Sequence, residues 1–164
     1  MRIFTLGYEG AELNDFLKVL KAHQIDLLLD VRELPLSRRK GFSKNSLRVA
    51  LENCDIEYRH ERRLGSPKTL RHRLYADGNY RTFFRDFDKH LAKQEDLLDT
   101  LANELAGNVI LVCYERDYRT CHRSAVAEAL GERTGSAPAH LEINADAPAR
   151  YATCPDLGQG VSPA

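Results

Sequence analysis

The chain is expected to fold as one α/β domain around a doubly wound, mostly parallel sheet with helices on both faces. Three observations lead there. Arg2–Leu6, Ile25–Leu29 and Val109–Val112 are short, largely apolar runs. Strands covered on both faces read this way, whereas strands with one wet face alternate. Between the first two runs, Leu13, Phe16, Leu17 and Leu20 recur at i, i+3, i+4 and i+7, the pattern of an amphipathic crossover helix. Strand, helix and strand in that order is how parallel strands are joined. The 164 residues are enough to bury one core of domain size.

Taken in order, Arg2–Leu6 is the first strand, ended by Gly7-Tyr8-Glu9-Gly10, whose glycines permit a tight turn. The first helix runs to about His23, and Ile25–Leu29 is the second strand, leading into Asp30-Val31-Arg32. Glu33–Phe42 holds Pro35, Gly41 and clustered basic residues, so no regular structure is expected there. Ser43 reads as the N-cap of a helix through Leu47, Ala50 and Leu51. Ile56–His60 alternates as a third strand, followed by a loop over Arg62–Pro67. Tyr80, Phe83, Phe84, Phe87 and Leu91 form an aromatic stripe at helical spacing, which fits a core face better than a base-stacking platform. Leu97, Leu98, Leu101 and Leu105 continue as a helix closed by Gly107. Asn108–Leu130 then supplies a strand, a polar loop and a helix ending near Gly131, and Ala139–Ile143 is an edge strand. The result is a Rossmann-like three-layer domain over residues 1–143. Residues 144–164, rich in Ala, Pro and Gly, read as a disordered tail.

Formal net charge is zero, so no overall pull toward nucleic acid or a membrane surface is present. The distribution is uneven: Arg32–Arg73 carries 12 Lys/Arg against 5 Asp/Glu, leaving 12 against 19 elsewhere. That segment is either a solvated face or an anion-binding one. No secretory leader or membrane span is visible, and four cysteines lack the density of a secreted disulfide scaffold. A soluble, cytoplasmic protein with reduced thiols is expected, with no membrane partner.

Open α/β sheets bind ligands outside the carboxyl ends of their strands. Here those ends supply Tyr8, Asp30, Arg32, His60, Cys113 and Glu115, and the helix after Cys113 opens with Cys121, His122 and Arg123. The unpaired N–H groups of a helix start favour an anion. The catalytic candidates are Cys121, Glu115 and Asp30. A cysteine at a helix start beside His122 and Arg123 is placed to be a thiolate, and either carboxylate can serve as acid or base. The substrate-binding candidates are Tyr8, Arg32, Ser37, His122 and Arg123, with Arg32 and Arg123 holding an anion. Ser37 lies in a basic loop with Arg38, Arg39 and Lys40 that is suited to phosphate.

Three further patterns are weighed. Adjacent helical residues diverge by about 100°, so Cys121, His122 and Arg123 are not expected to face one ligand from that helix. Cys113 and Arg119 match the C-x5-R spacing of a phosphatase oxyanion loop. Glu115-Arg116-Asp117 between them offers no glycine, and inward carboxylates would repel phosphate. Cys113, Cys121 and His122, with His60 or His140, are metal-ligand types, but the two thiols are eight positions apart with no C-x2-C pair. No metal is therefore assigned, and no cofactor is indicated.

TLGYEG near the start, LLLDVRELPLSRRKGFS after the second strand, IEYRHERRLGSP in the middle and CYERDYRTCHRSAVAEAL near the end resemble one family. It is the uncharacterised bacterial and archaeal family numbered 488 among domains of unknown function. Its motifs D-V-R-x-x-P-x-S and C-x-E-x5-C-H-R are met by Asp30, Val31, Arg32, Pro35 and Ser37, and by Cys113, Glu115, Cys121, His122 and Arg123. The resemblance spans about residues 3–143 and implies an α/β domain, with no activity attached. Arg119 lies outside the family pattern.

Two classes of function follow. One is an enzyme binding a small phosphorylated or nucleotide-like anion at the carboxyl ends of the strands. The other is a nucleic-acid-binding accessory module using residues 32–73, with Phe42 or Tyr58 for stacking. The sequence leaves the oligomeric state open.

Overall fold

A computed structural model describes residues 1–143; the expected tail lies outside them. Five parallel strands, β1 (Arg2–Gly7), β2 (Leu27–Asp30), β3 (Glu57–His60), β4 (Asn108–Cys113) and β5 (Ala139–His140), form one sheet in the order β3-β2-β4-β1-β5. Six helices surround it: α1 (Leu13–Ala22), α2 (Lys44–Glu52), α3 (Lys68–Asp77), α4 (Tyr80–Ala92), α5 (Glu95–Glu104) and α6 (Arg123–Thr134).

The strand order explains the layers. The first two crossovers step toward the β3 edge and the last two step back toward β5. Right-handed crossovers running in opposite directions place their helices on opposite faces. Accordingly, α1 and α2 pack Phe16, Leu17, Leu20, Leu47 and Leu51 against Phe4, Leu6, Leu28, Ile110 and Val112. On the other face, α4, α5 and α6 pack Phe87, Leu91, Leu98, Leu101, Val126 and Leu130 against Ile3, Leu27, Leu29, Val109 and Leu111. Successive strand residues feed opposite faces, so both cores are filled by the same short apolar runs. Because β4 pairs with both β1 and β2, its residues from Val109 to Cys113 are all buried.

Most element expectations hold, and the departures have local causes. Ser43 stands at the N-cap of α2 but does not cap it with its side chain. Its hydroxyl instead donates to the Ser37 carbonyl and accepts from the Ser37 N–H, tying the basic loop to the helix. Lys68–Asp77, left unassigned by the sequence pattern, is helical although none of its residues is buried. A helix without an apolar face leaves no periodic signal. Arg62–Leu64 is one 3-10 turn. The last strand is shorter than expected, with only Ala139 and His140 pairing with β1. Helix α6 begins later and runs on to Thr134, where Gly135 adopts the left-handed conformation.

The connections after β2 and β4 leave in opposite directions, which opens a crevice at their carboxyl ends. Two glycines let the neighbouring loops close around it. A Cβ on Gly7 would stand 1.8 Å from the Glu115 carbonyl oxygen, and one on Gly65 would stand 2.2 Å from the Glu33 nitrogen. Both contacts are with backbone, so neither can be relieved by turning a side chain. Gly7→Ala and Gly65→Ala should therefore each destabilise the fold by about 2 kcal/mol or more in urea unfolding. Gly78→Ala, at a left-handed position facing open space, should cost only about 1 kcal/mol.

Candidate functional site

One wall of the crevice is built around a buried ion pair. Asp30 ends β2, where burial leaves its carboxylate no water, and it is 0% exposed. The Arg32 Nε–H and Nη2–H donate to its two oxygens at 2.8 and 2.7 Å, a bidentate fork. The Tyr58 hydroxyl on β3 donates to the same carboxylate at 2.6 Å. Arg32 Nη1 donates to the Tyr8 hydroxyl at 2.9 Å and to the Phe42 carbonyl at 2.8 Å. The Tyr8 and Phe42 rings stack at 4.5 Å. His60 Nε2–H donates to the Arg32 carbonyl. Burial disfavours the Arg32 charge, but the hydrogen bonds and charge of Asp30 outweigh it and hold the guanidinium firmly protonated. Burial and Asp30 likewise push the Tyr58 hydroxyl far up, so it stays a donor.

Next to this hub lies a second cluster, on the loop after β4. Cys113 ends β4, and the chain then passes through a 3-10 turn over Tyr118–Thr120 before α6. Cys121 is therefore not helical: it is extended, at φ −124° and ψ 137°, and His122 is the N-cap of α6. The helical divergence expected for these neighbours does not apply, and both side chains converge on Cys113. His122 Nδ1 is 3.8 Å from the Cys113 sulfur and 4.0 Å from the Cys121 sulfur. The Val31 carbonyl can only accept, so the His122 Nε2 that meets it at 2.7 Å carries a proton. Glu115 Oε2 accepts from the Cys113 thiol at 3.4 Å.

The electrostatics follow from packing these groups together. Burial pushes the Cys121 thiol up, but the Cys113 hydrogen bond, His122 and Arg123 outweigh it and bring it well below the usual thiol range. Cys113 is driven the other way by its bond to Cys121 and by burial. His122 is pulled down by burial and more strongly up by Cys121 and the Val31 carbonyl. Burial first, then Cys121, pushes the Glu115 carboxyl up to about 7.

A cleft of about 540 Å³ opens above both clusters, within the range of small-molecule sites. Of the sequence candidates, Tyr8, Arg32, Ser37, Glu115 and His122 line it. Asp30 lies beneath, held by Arg32 and Tyr58. Cys121, 1% exposed, stands behind Cys113, which does line the cleft. Arg123, 0% exposed, points into the loop and donates to the Glu115 and Arg116 carbonyls at 2.5 and 3.3 Å. Arg119 is exposed and paired with Asp117, so no C-x5-R oxyanion loop is formed. Phe42 is fully buried and Tyr58 is spent on Asp30, which removes both proposed stacking residues.

Several lining residues escaped the sequence reading. Ser66, Arg71 and Tyr75 come from the α3 region, which carries no periodic signal, and Tyr114 follows Cys113 at the end of β4. Leu34, Leu36, Tyr75 and Tyr114 are exposed along this cleft. Two bare leucines in a basic loop were a legible hint. Arg38 lines it without an ion pair among the described residues, while Arg39 pairs with Glu12 and Arg71 with Glu33.

Removing Arg32 would leave Asp30 buried and unmatched. Arg32→Met should therefore cost about 3–5 kcal/mol in denaturant unfolding. The Asp30→Leu/Arg32→Met double variant should recover much of that loss, because no orphan charge is left.

No curated protein and no solved structure matches the chain. Among the described residues, no helix is long and apolar enough to cross a membrane. A family model does match, described as a domain of unknown function and covering residues 12–130, a stretch that includes Asp30, Arg32, Cys113, Glu115, Cys121 and His122. The chain belongs to the DUF488 family.

Proposed function

We propose that this protein is an enzyme acting on a small anionic, nucleotide-like ligand bound in the cleft at the carboxyl ends of β2 and β4. One observation carries the reading: Cys113, Glu115 and His122 form the floor of a cleft whose walls hold Arg38, Arg39 and Arg71. Titratable groups gathered beneath a concave, ligand-sized surface are what reaction chemistry needs and a packing core does not. Arg38, which has no ion pair among the described residues, makes first contact with the anion. Exposed Tyr75 and Tyr114 offer flat apolar surfaces to a ring. Ser37 and Tyr8 add hydroxyl donors, and Arg32 keeps the surface in shape through Asp30. In this reading Glu115 is the acid–base group facing the ligand. Arg123 acts at one remove, by holding the Glu115 and Arg116 carbonyls in place.

The nucleic-acid reading has less support. Several basic residues of 32–73 are already matched by acids: Arg48 by Glu52, Arg59 by Glu61 and Glu104, Arg63 by Asp96, and Arg73 by Asp86. Of the segment's twelve cations, Arg38, Lys40, Lys44, Arg62 and Lys68 have no ion pair among the described residues, fewer than the sequence count offered for tracking a phosphate backbone.

A thermal-shift screen of nucleoside phosphates, sugar phosphates and oligonucleotides tests both readings. A small anion should stabilise the native protein, by about 2.7 kcal/mol at a hundred times its Kd. Arg38→Ala should weaken that binding about tenfold while leaving the unliganded midpoint unchanged. Stabilisation by oligonucleotides alone, falling steeply with salt, would favour the binding module. No stabilisation by any of them would overturn the enzyme reading.

A further inference from the structure

We propose that Cys113, Cys121 and His122 form a binding site for a single zinc-like divalent metal ion, with one coordination position open to the cleft. The three ligand atoms, two sulfurs and His122 Nδ1, all lie within 4.8 Å of one another. Bonds of about 2.3 Å to sulfur and about 2.0 Å to nitrogen give a tetrahedron with edges of roughly 3.5–3.8 Å. The observed nitrogen–sulfur separations of 3.8 and 4.0 Å need to close by only a few tenths of an ångström. The wide sequence spacing that spoke against a metal is bridged by the loop. The 3-10 turn and the extended Cys121 bring the second thiol back beside the end of β4.

Two independent features fit the same assignment. Histidines that bind metals commonly give their other ring N–H to a backbone carbonyl, which fixes the tautomer and aims the lone pair. His122 does this through Val31, and the nitrogen left over faces both sulfurs. The second feature is Arg123, fully buried and donating only to carbonyls, with no ion pair among the described residues. A buried guanidinium needs negative charge nearby. Two thiolates and a divalent ion together are neutral, so the buried arginine is balanced when the fourth ligand is an anion. An anion entering from the cleft at the open position supplies that charge.

The donor set selects among metals. Two thiolates and an imidazole suit zinc and disfavour magnesium or calcium, which take oxygen ligands. Three protein ligands rather than four mark an open, catalytic type of site rather than a closed structural one. The open side is set by which ligands meet the cleft: Cys113 and His122 line it, and Cys121 closes the rear.

The test is made on the full chain, reduced and stripped with a chelator, then titrated with Co(II) and Zn(II). One equivalent of Co(II) should produce an intense thiolate-to-cobalt absorption and the visible bands of tetrahedral cobalt, and Zn(II) should displace it. Bound Zn(II) should shield Cys113 and Cys121 from a thiol reagent and raise the thermal midpoint. Cys121→Ser, checked for folding by circular dichroism, should lose affinity by more than the roughly 10–100-fold that a lost second-shell partner costs. Arg38→Ala should bind cobalt as the native protein does, so the anion reading and the metal assignment fail separately. A folded native protein that shows no thiolate-to-cobalt band overturns the proposal. A band that survives both Cys113→Ser and Cys121→Ser would overturn it equally.

Discussion

The Asp30–Arg32 pair is the interaction on which the rest of the site depends. It is formed within one turn at the end of β2, yet it reaches the turn after β1 through Tyr8, β3 through Tyr58 and the basic loop through the Phe42 carbonyl. Taking two charges out of water is costly, and the cost is offset only when nearly every donor and acceptor finds a partner. Here the guanidinium and the carboxylate are each engaged from several directions. The consequence is positional: four separate stretches of chain are held to one point, and the cleft has a rigid wall.

Against that wall the second cluster has a different character. Its members are mismatched rather than saturated. Glu115 is pushed up to about 7 by burial and by a neighbouring thiol, and the two cysteines are driven in opposite directions. Among the described residues the Arg123 guanidinium finds only carbonyls, and its Nε finds no partner. Structural networks tend toward full satisfaction, whereas sites that meet a ligand leave capacity unused. The two clusters lie side by side along one cleft, yet the first is saturated with partners and the second is not.

Much of the frame was legible in advance, because both kinds of strand and helix signal are local. The aliphatic run Val109–Val112 had to be an inner strand, and it became the middle strand of the five, paired with β1 and β2. The stripe of Phe83, Phe87 and Leu91 had to face a core, and it does. Helix α3 was illegible for the same reason: with no buried residue, it imposes no pattern. Tyr75 and Arg71, which ride on it into the cleft, were lost with it.

The sequence by itself determined the sheet, its two-sided cores and the turn where titratable residues gather, since hydrophobic periodicity and strand-end polarity are read residue by residue. It also placed Cys113, Glu115, Cys121 and His122 in one turn. Only the tertiary structure decided where each candidate stands and what it touches. It showed Arg32 joined to Asp30 in the wall, Cys121 behind Cys113, and Arg123 facing carbonyls away from the cleft. Those outcomes depend on backbone angles at Cys121 and on contacts between residues as distant as Val31 and His122. Neither is encoded in spacing: the backbone is free to leave the helical path for two residues, and only the packed sheet says where that departure points.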